Sequence, residues 1–211
     1  MREKNTIGIL AYGSLINDPG NEIELVICEK ILNVTTPFKI EFARKSRTRN
    51  YAPTLVPVDY DGATIKANIL LLKNGIGLGA AKDLLWRRET RNENTDKHYL
   101  VPNSVGLNTM VVEVLENFNG IDYVLYTKLS ANIDNLTASN LANLAITSAK
   151  LDAGKKGLDG ISYLISAKEN GILTPLMPFY ENEILEKTGS KNLIEALKNC
   201  RMSAQCFNEG K

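Results

Sequence analysis

The stretch Ile7-Gly8-Ile9-Leu10-Ala11-Tyr12-Gly13-Ser14-Leu15 constrains this chain more than any other, because an apolar run breaks off abruptly in a tyrosine, a glycine and a serine. Continuous apolar character from Ile7 predicts a buried strand covered on both faces. Gly13 allows backbone angles that a Cβ hinders, so the strand is expected to run into a tight loop. Such a turn points several amide N–H groups one way. That nest of donors attracts a carboxylate or a phosphate, and the Ser14 hydroxyl adds one more donor. The plainer reading is a turn with an aromatic lid, and the choice between the two depends on the rest of the chain.

With 211 residues, 44% of them apolar and 23% charged, the chain can bury a sizeable core and has the make-up of a soluble globular protein. One domain over residues 1–211 is expected, helical from about residue 136. The formal charge of +1 supplies no general drive toward nucleic acid. Cys28, Cys200 and Cys206 are odd in number and lack C-x-x-C spacing, which points to neither a disulfide framework nor a zinc site. Met1-Arg2-Glu3-Lys4-Asn5 leads into an apolar stretch too short for a signal peptide or a membrane span. A cytoplasmic protein with no membrane association is therefore expected.

Ile23 to Val34 is apolar with no clear period. Thr35 to Ala43 alternates, with Phe38, Ile40 and Phe42 on one strand face and Lys39 and Glu41 on the other. Arg44 to Tyr51 reads as a basic loop, and Ala52 to Val58, with its prolines, as a short extended piece at a sheet edge. Asp61-Gly62 marks a turn before a strand over Ala63 to Leu72. Ala80 to Arg91 is helical, and Val105 to Leu115 and Ile121 to Leu129 form a hairpin about Asn119-Gly120. Thr137 caps a helix to Leu151. Further helices cover Asp159 to Asn170, stopped at Gly171 and Pro175, then Glu181 to Lys187 and Lys191 to Asn199, broken at Gly189. Strands first and helices after give an α+β class.

Few residues carry recognisable chemistry. Gly75-x-Gly77-x-Gly79 has its third glycine one residue early for a dinucleotide fingerprint and reads as a flexible connection. His98 is the single histidine, too little for a metal cluster or a Ser-His system. Arg44 to Arg49 reads first as a solvated loop, second as the source of one substrate-facing arginine, and third as a nucleic-acid contact. Within Leu84-Leu85-Trp86-Arg87-Arg88-Glu89, Leu85 and Glu89 share a helix face. Glu89 is either an acid turned toward the core or a solvated partner of Arg87, Arg88 or Arg91.

Taken together, Tyr12-Gly13-Ser14-Leu15, Leu85-Trp86-Arg87-Arg88-Glu89, and Tyr163 to Gly171 with its Ala-Lys-Glu-Asn-Gly ending resemble the γ-glutamylcyclotransferase-like superfamily. The three matches keep the family's order and touch roughly three quarters of the chain. Two departures stand out: a long polar segment from Arg91 to Pro102, and helices after Phe179 that extend past the match. The resemblance implies a small mixed β-barrel flanked by helices, with Glu89 and the Tyr12–Leu15 loop facing one cavity.

It also implies a γ-glutamyl cyclotransferase, in which the α-amine of a γ-glutamyl group attacks its own γ-carbonyl, releasing an amine or amino acid and 5-oxoproline. Glu89 is then the catalytic base and acid. The amides of Gly13, Ser14 and Leu15 hold substrate oxygens, and Tyr12 lines the pocket. No metal, cofactor, nucleic acid or membrane is expected as a partner, only a small γ-glutamyl substrate. The alternatives are a non-catalytic ligand-binding or interaction domain on the same fold and, third, a nucleotide-binding protein using Gly75 to Gly79.

Overall fold

The structure, a computed structural model, describes residues 5–208, without the side chains of 203–208. The expectations for Met1 to Lys4 and for the Cys206 thiol lie outside the described residues. The chain is a mixed α+β protein, and its packing divides it into two compact units. The first comprises Met1–Thr36 and Lys66–Ser130, the second Pro37–Ile65 and Ala131–Lys211.

The first unit is built on a five-stranded sheet. β1 (Ile7–Ala11) is buried at every position, as its continuous apolar sequence requires. It pairs antiparallel with β5 (Lys66–Leu72) and parallel with β7 (Ile121–Lys128), giving the order β2-β5-β1-β7-β6. β2 (Ile27–Thr35) is an edge strand, and two register shifts against β5, with Asn33 at positive φ, account for the lack of a clear period there. β6 (Val111–Phe118) and β7 form the expected hairpin, turning at Asn119 and Gly120, both at positive φ. β6 begins later than its apolar sequence suggests because Gly106 and Thr109 close a local turn. α1 (Ser14–Asn17) and α2 (Asn21–Glu24) are single turns after β1, and α3 (Leu78–Thr90) packs Ala81 and Leu85 into the sheet's core beside Leu15, Ile23 and Leu70.

The second unit pairs β3 (Ile40–Ser46) with β4 (Ala52–Pro57) and carries the helices α4 (Ala138–Lys150), α5 (Asp152–Lys155), α6 (Gly160–Glu169), α7 (Met177–Thr188) and α8 (Leu193–Asn208). Thr137 caps α4 by accepting from the Asn140 N–H, and the Asp159 carboxylate caps α6 through the Ser162 N–H. α7 starts before Glu181 because Pro178 suits a first turn, and Gly189, left-handed, ends it as expected. The core here centres on Phe42, whose ring meets Tyr180 edge-on at 5.4 Å and Tyr163 at 6.1 Å.

Three expectations are corrected in this unit. Glu41, placed on the polar face of an alternating strand, is fully buried: its carboxylate accepts from the Phe42 N–H at 2.7 Å, the Thr174 hydroxyl at 2.6 Å and the Leu176 N–H at 3.0 Å. Ile40 to Ala43 are buried on both faces of the strand, so the face opposite Ile40 and Phe42 is covered too, and the hydrogen bonds offset the desolvation of the carboxylate. Arg44 to Ser46 are strand rather than loop, with Arg47–Arg49 a 3₁₀ turn after them. Arg49 lies over the Tyr163 ring at 4.6 Å and donates to Leu158 O, so it serves packing. The strand read over Ala63 to Leu72 is also divided: Ala63 bridges to Ile40 in the second unit, and β5 of the first unit starts at Lys66.

The Tyr180 hydroxyl is buried and, among the described residues, finds no hydrogen-bond partner. Burial, then the charge of Asp159, pushes its pKa upward. An unsatisfied buried hydroxyl costs about 1–3 kcal/mol. Tyr180→Phe should therefore raise the melting temperature in thermal unfolding; a clear fall would mean that the hydroxyl is bonded.

Candidate functional site

All the site residues expected from the sequence lie in the first unit. β1 ends at Ala11, and Gly13 adopts φ 58°, ψ −130°, a conformation costly for any residue with a Cβ. Ser14 then opens the single turn of α1. Within this turn the Leu15 N–H donates to Tyr12 O at 3.3 Å and the Ile16 N–H to Gly13 O at 3.4 Å, both long contacts. The Leu15 amide is thus already engaged locally, while its side chain is buried in the core. The Tyr12 hydroxyl donates to Thr127 O at 2.8 Å, which ties the aromatic ring to β7.

Glu89 sits in the last turn of α3, a helix that closes with Arg91 in the left-handed conformation. The carbonyl end of a helix favours cations and disfavours a carboxylate. Arg87 and Arg88 supply the cations, and both reach back to the segment that follows β1.

Arg87 is 7% exposed and grips Glu22 with two parallel bonds, Nε to Oε1 at 3.0 Å and Nη2 to Oε2 at 2.7 Å. Hydrogen bonding to Glu22 holds its pKa above the ordinary guanidinium value, against the opposing effect of burial. Its Nη1 also donates to Lys97 O at 2.9 Å.

Arg88 lays its stem along Gly20, where a Cβ would stand 3.0 Å from Arg88 Cγ. Its Nη1 donates to Glu89 Oε1 at 2.5 Å and to Ser14 Oγ at 3.4 Å. Its Nη2 lies 3.4 Å from Ser14 Oγ and donates to Asp18 O, with the Asp18 carboxylate at 3.8 Å. The side chains of Arg88 and Glu89 are 13% and 21% exposed, so the pair is largely shielded from water.

One guanidinium therefore stands between the Tyr-Gly-Ser turn and the glutamate, 75 positions apart in Ser14–Glu89 numbering. From the sequence, Arg88 reads as one residue of the helix face with Leu84 and Leu85 and as one of three arginines that can pair with Glu89, and Gly20 carries no signal. Adjacent helix residues do not face each other, so no spacing signal marks the Arg88–Glu89 contact.

His98, the single histidine, is 69% exposed at its side chain and pairs through Nδ1 with Asp83 Oδ2 at 2.8 Å. Asp83 Oδ1 accepts from the Tyr99 N–H at 2.7 Å. Arg87 and Asp83 of α3 thus pin the polar segment that follows the helix, while Leu100 and Val101 near its end are exposed. The Gly75 to Gly79 connection makes no close approach: a Cβ at Gly75, Gly77 or Gly79 would meet nothing within 4 Å. Among the described residues no three His, Cys, Asp or Glu side chains gather as metal ligands, and no helix is long and apolar enough to cross a membrane. No family model and no curated protein matches the chain.

Burial acts to raise the Asp83 pKa, but bonds from His98 and the Tyr99 N–H outweigh it and hold the carboxyl below its ordinary value. A depressed carboxyl stabilises the fold above its unfolded pKa, about 3.9 for aspartate, and loses that contribution as the pH falls through the lower folded value. Asp83→Asn should lower the melting temperature at neutral pH, with the gap from wild type closing below about pH 4. A gap that stays constant across that range would contradict the assignment.

Proposed function

We propose that the chain is a γ-glutamyl cyclotransferase that releases 5-oxoproline and a free amine or amino acid from a γ-glutamyl substrate. The observation that carries this reading is the Arg88 guanidinium in contact with both Ser14 Oγ and Glu89 Oε1, which joins the two motifs that the chemistry needs. The finer fold expectation, a small mixed barrel of the γ-glutamylcyclotransferase-like type, belongs to the same proposal. It draws support from a parallel β1–β7 pair inside an otherwise antiparallel sheet. A cytoplasmic location and the lack of nucleic-acid or membrane partners are likewise part of the proposal.

The mechanism needs one group that moves a proton twice. Glu89 takes a proton from the substrate's α-ammonium, and the freed amine nitrogen attacks the γ-carbonyl carbon. The new C–N bond closes a five-membered ring, the bond to the departing nitrogen breaks as Glu89 returns the proton to it, and the second proton of the ring nitrogen passes to the released amine, leaving the neutral lactam and an ammonium product. The Gly13 and Ser14 amides hold substrate oxygens, including the one that gains charge during the attack. Leu15 fixes the turn through its buried side chain, and Tyr12 borders the site. Because nucleophile and carbonyl belong to one molecule, holding the substrate folded removes up to roughly 7–11 kcal/mol of barrier in favourable cases. The reaction as written calls for no cofactor or metal.

A second reading is favoured by the same short ion pair. A carboxylate held at 2.5 Å by its neighbour's guanidinium is also what a purely structural acid makes, as in a non-catalytic ligand-binding domain on this fold. Incubation with a mixed γ-glutamyl library separates the two. The enzyme should yield 5-oxoproline by mass spectrometry, and Glu89→Gln, which preserves shape, should fold normally and lose on the order of 10²–10⁴-fold in rate. No 5-oxoproline from any library member, or near-wild-type turnover by Glu89→Gln, would reject the cyclotransferase.

A further inference from the structure

We infer that Arg88 is the positioning residue of this site: it fixes which oxygen of Glu89 moves protons and turns the Ser14 hydroxyl into a donor toward the substrate. This rests on the cyclotransferase reading and adds a residue and an atom-level division of labour to it.

The assignment follows from where the guanidinium's hydrogens go. Nη1 is directed at Glu89 Oε1 and Ser14 Oγ, and Nη2 at Ser14 Oγ and Asp18 O. A guanidinium only donates, whereas a hydroxyl both donates and accepts. Ser14 Oγ accepts from both nitrogens, so its own hydrogen points away from Arg88 and can be given to a substrate oxygen. Glu89 Oε1 is the oxygen held, which assigns Oε2 to the proton transfers. With both terminal nitrogens committed to protein atoms, the head group acts through its neighbours and does not bind the substrate.

The stem is held as firmly as the head. It lies against Gly20, where a Cβ would crowd Arg88 Cγ at 3.0 Å and the backbone has φ 80°, so glycine serves both the turn and the passage of the arginine. Lysine is no equivalent. A single ammonium is a point charge and cannot span Glu89, Ser14 and Asp18 as a planar fork does.

The test compares wild type with Arg88→Ala, Arg88→Lys and Gly20→Ala on the γ-glutamyl substrate identified from the library. Misplacing a reacting group by about 1 Å costs on the order of 10²-fold. Arg88→Ala should therefore lose about that factor in kcat with little change in KM, and added guanidinium at sub-denaturing concentration should restore part of it. Gly20→Ala, which keeps the arginine but displaces its stem, should lower kcat in the same sense. In parallel, amide hydrogen exchange over residues 14–18 should be faster in Arg88→Ala than in wild type and unchanged in Glu89→Gln. If Arg88→Ala does not fold, Arg88→Lys carries the same comparison. Wild-type kcat, a loss confined to KM, or unchanged exchange over residues 14–18 in the Arg88 variant would each overturn the assignment. If wild type makes no 5-oxoproline, the functional reading fails by itself, and the exchange comparison still decides whether Arg88 fixes the turn.

Discussion

Two consecutive arginines at the end of α3 carry the organisation of the first unit. Arg87 and Arg88 project from adjacent helix positions, yet both reach back to the segment after β1, one to Glu22 and the other to Ser14 and Asp18. That segment consists of two single turns, α1 and α2, neither long enough to be stable as an isolated helix. Its order comes from what it packs against. Leu15 and Ile23 dip into the core beside Leu85, and the two guanidiniums lock the polar edge above them. The conformation of the Tyr-Gly-Ser turn is therefore set as much by a distant helix as by its own sequence.

The same arrangement resolves an electrostatic conflict. A glutamate in the last turn of a helix faces the partial negative charge of unpaired carbonyls. Arg88 compensates that charge locally, and Arg87 adds a second cation engaged mainly with Glu22. The carboxylate can then sit in a largely shielded position, joined through Arg88 to the glycine turn. Burial without the guanidinium would leave an uncompensated charge at a site that already disfavours it.

Much of this architecture is legible in the sequence because it depends on local pattern. The continuous apolar run of β1, the Asn119-Gly120 turn, the Thr137 cap and the Gly189 stop each follow from residues within a few positions of one another. The failures share a cause as well. Glu41 reads as a surface residue because alternation cannot show that both faces of its strand are covered, and its partners Thr174 and Leu176 lie more than 130 positions away. Ala63 and Lys66 belong to one strand as read from the sequence but to different units, since Ile40 claims the first and β2 the second. At the site, Tyr12 to Leu15 and Glu89 stand in motifs that the sequence itself displays. Arg88 and Gly20 carry no spacing signal, because their contact exists only once α3 lies against the turn.

The central claim is that the turn and the glutamate close a ring within one substrate molecule, and an isotope experiment addresses it most directly. Turnover in ¹⁸O-labelled water distinguishes attack by the substrate's own amine from attack by water. Cyclisation consumes no water and keeps the original carbonyl oxygen, so mass spectrometry should find 5-oxoproline with no solvent label. Glutamate carrying one labelled oxygen as the main product would mean hydrolysis, and the account of Glu89 and the Tyr12–Leu15 turn as a cyclisation site would be wrong.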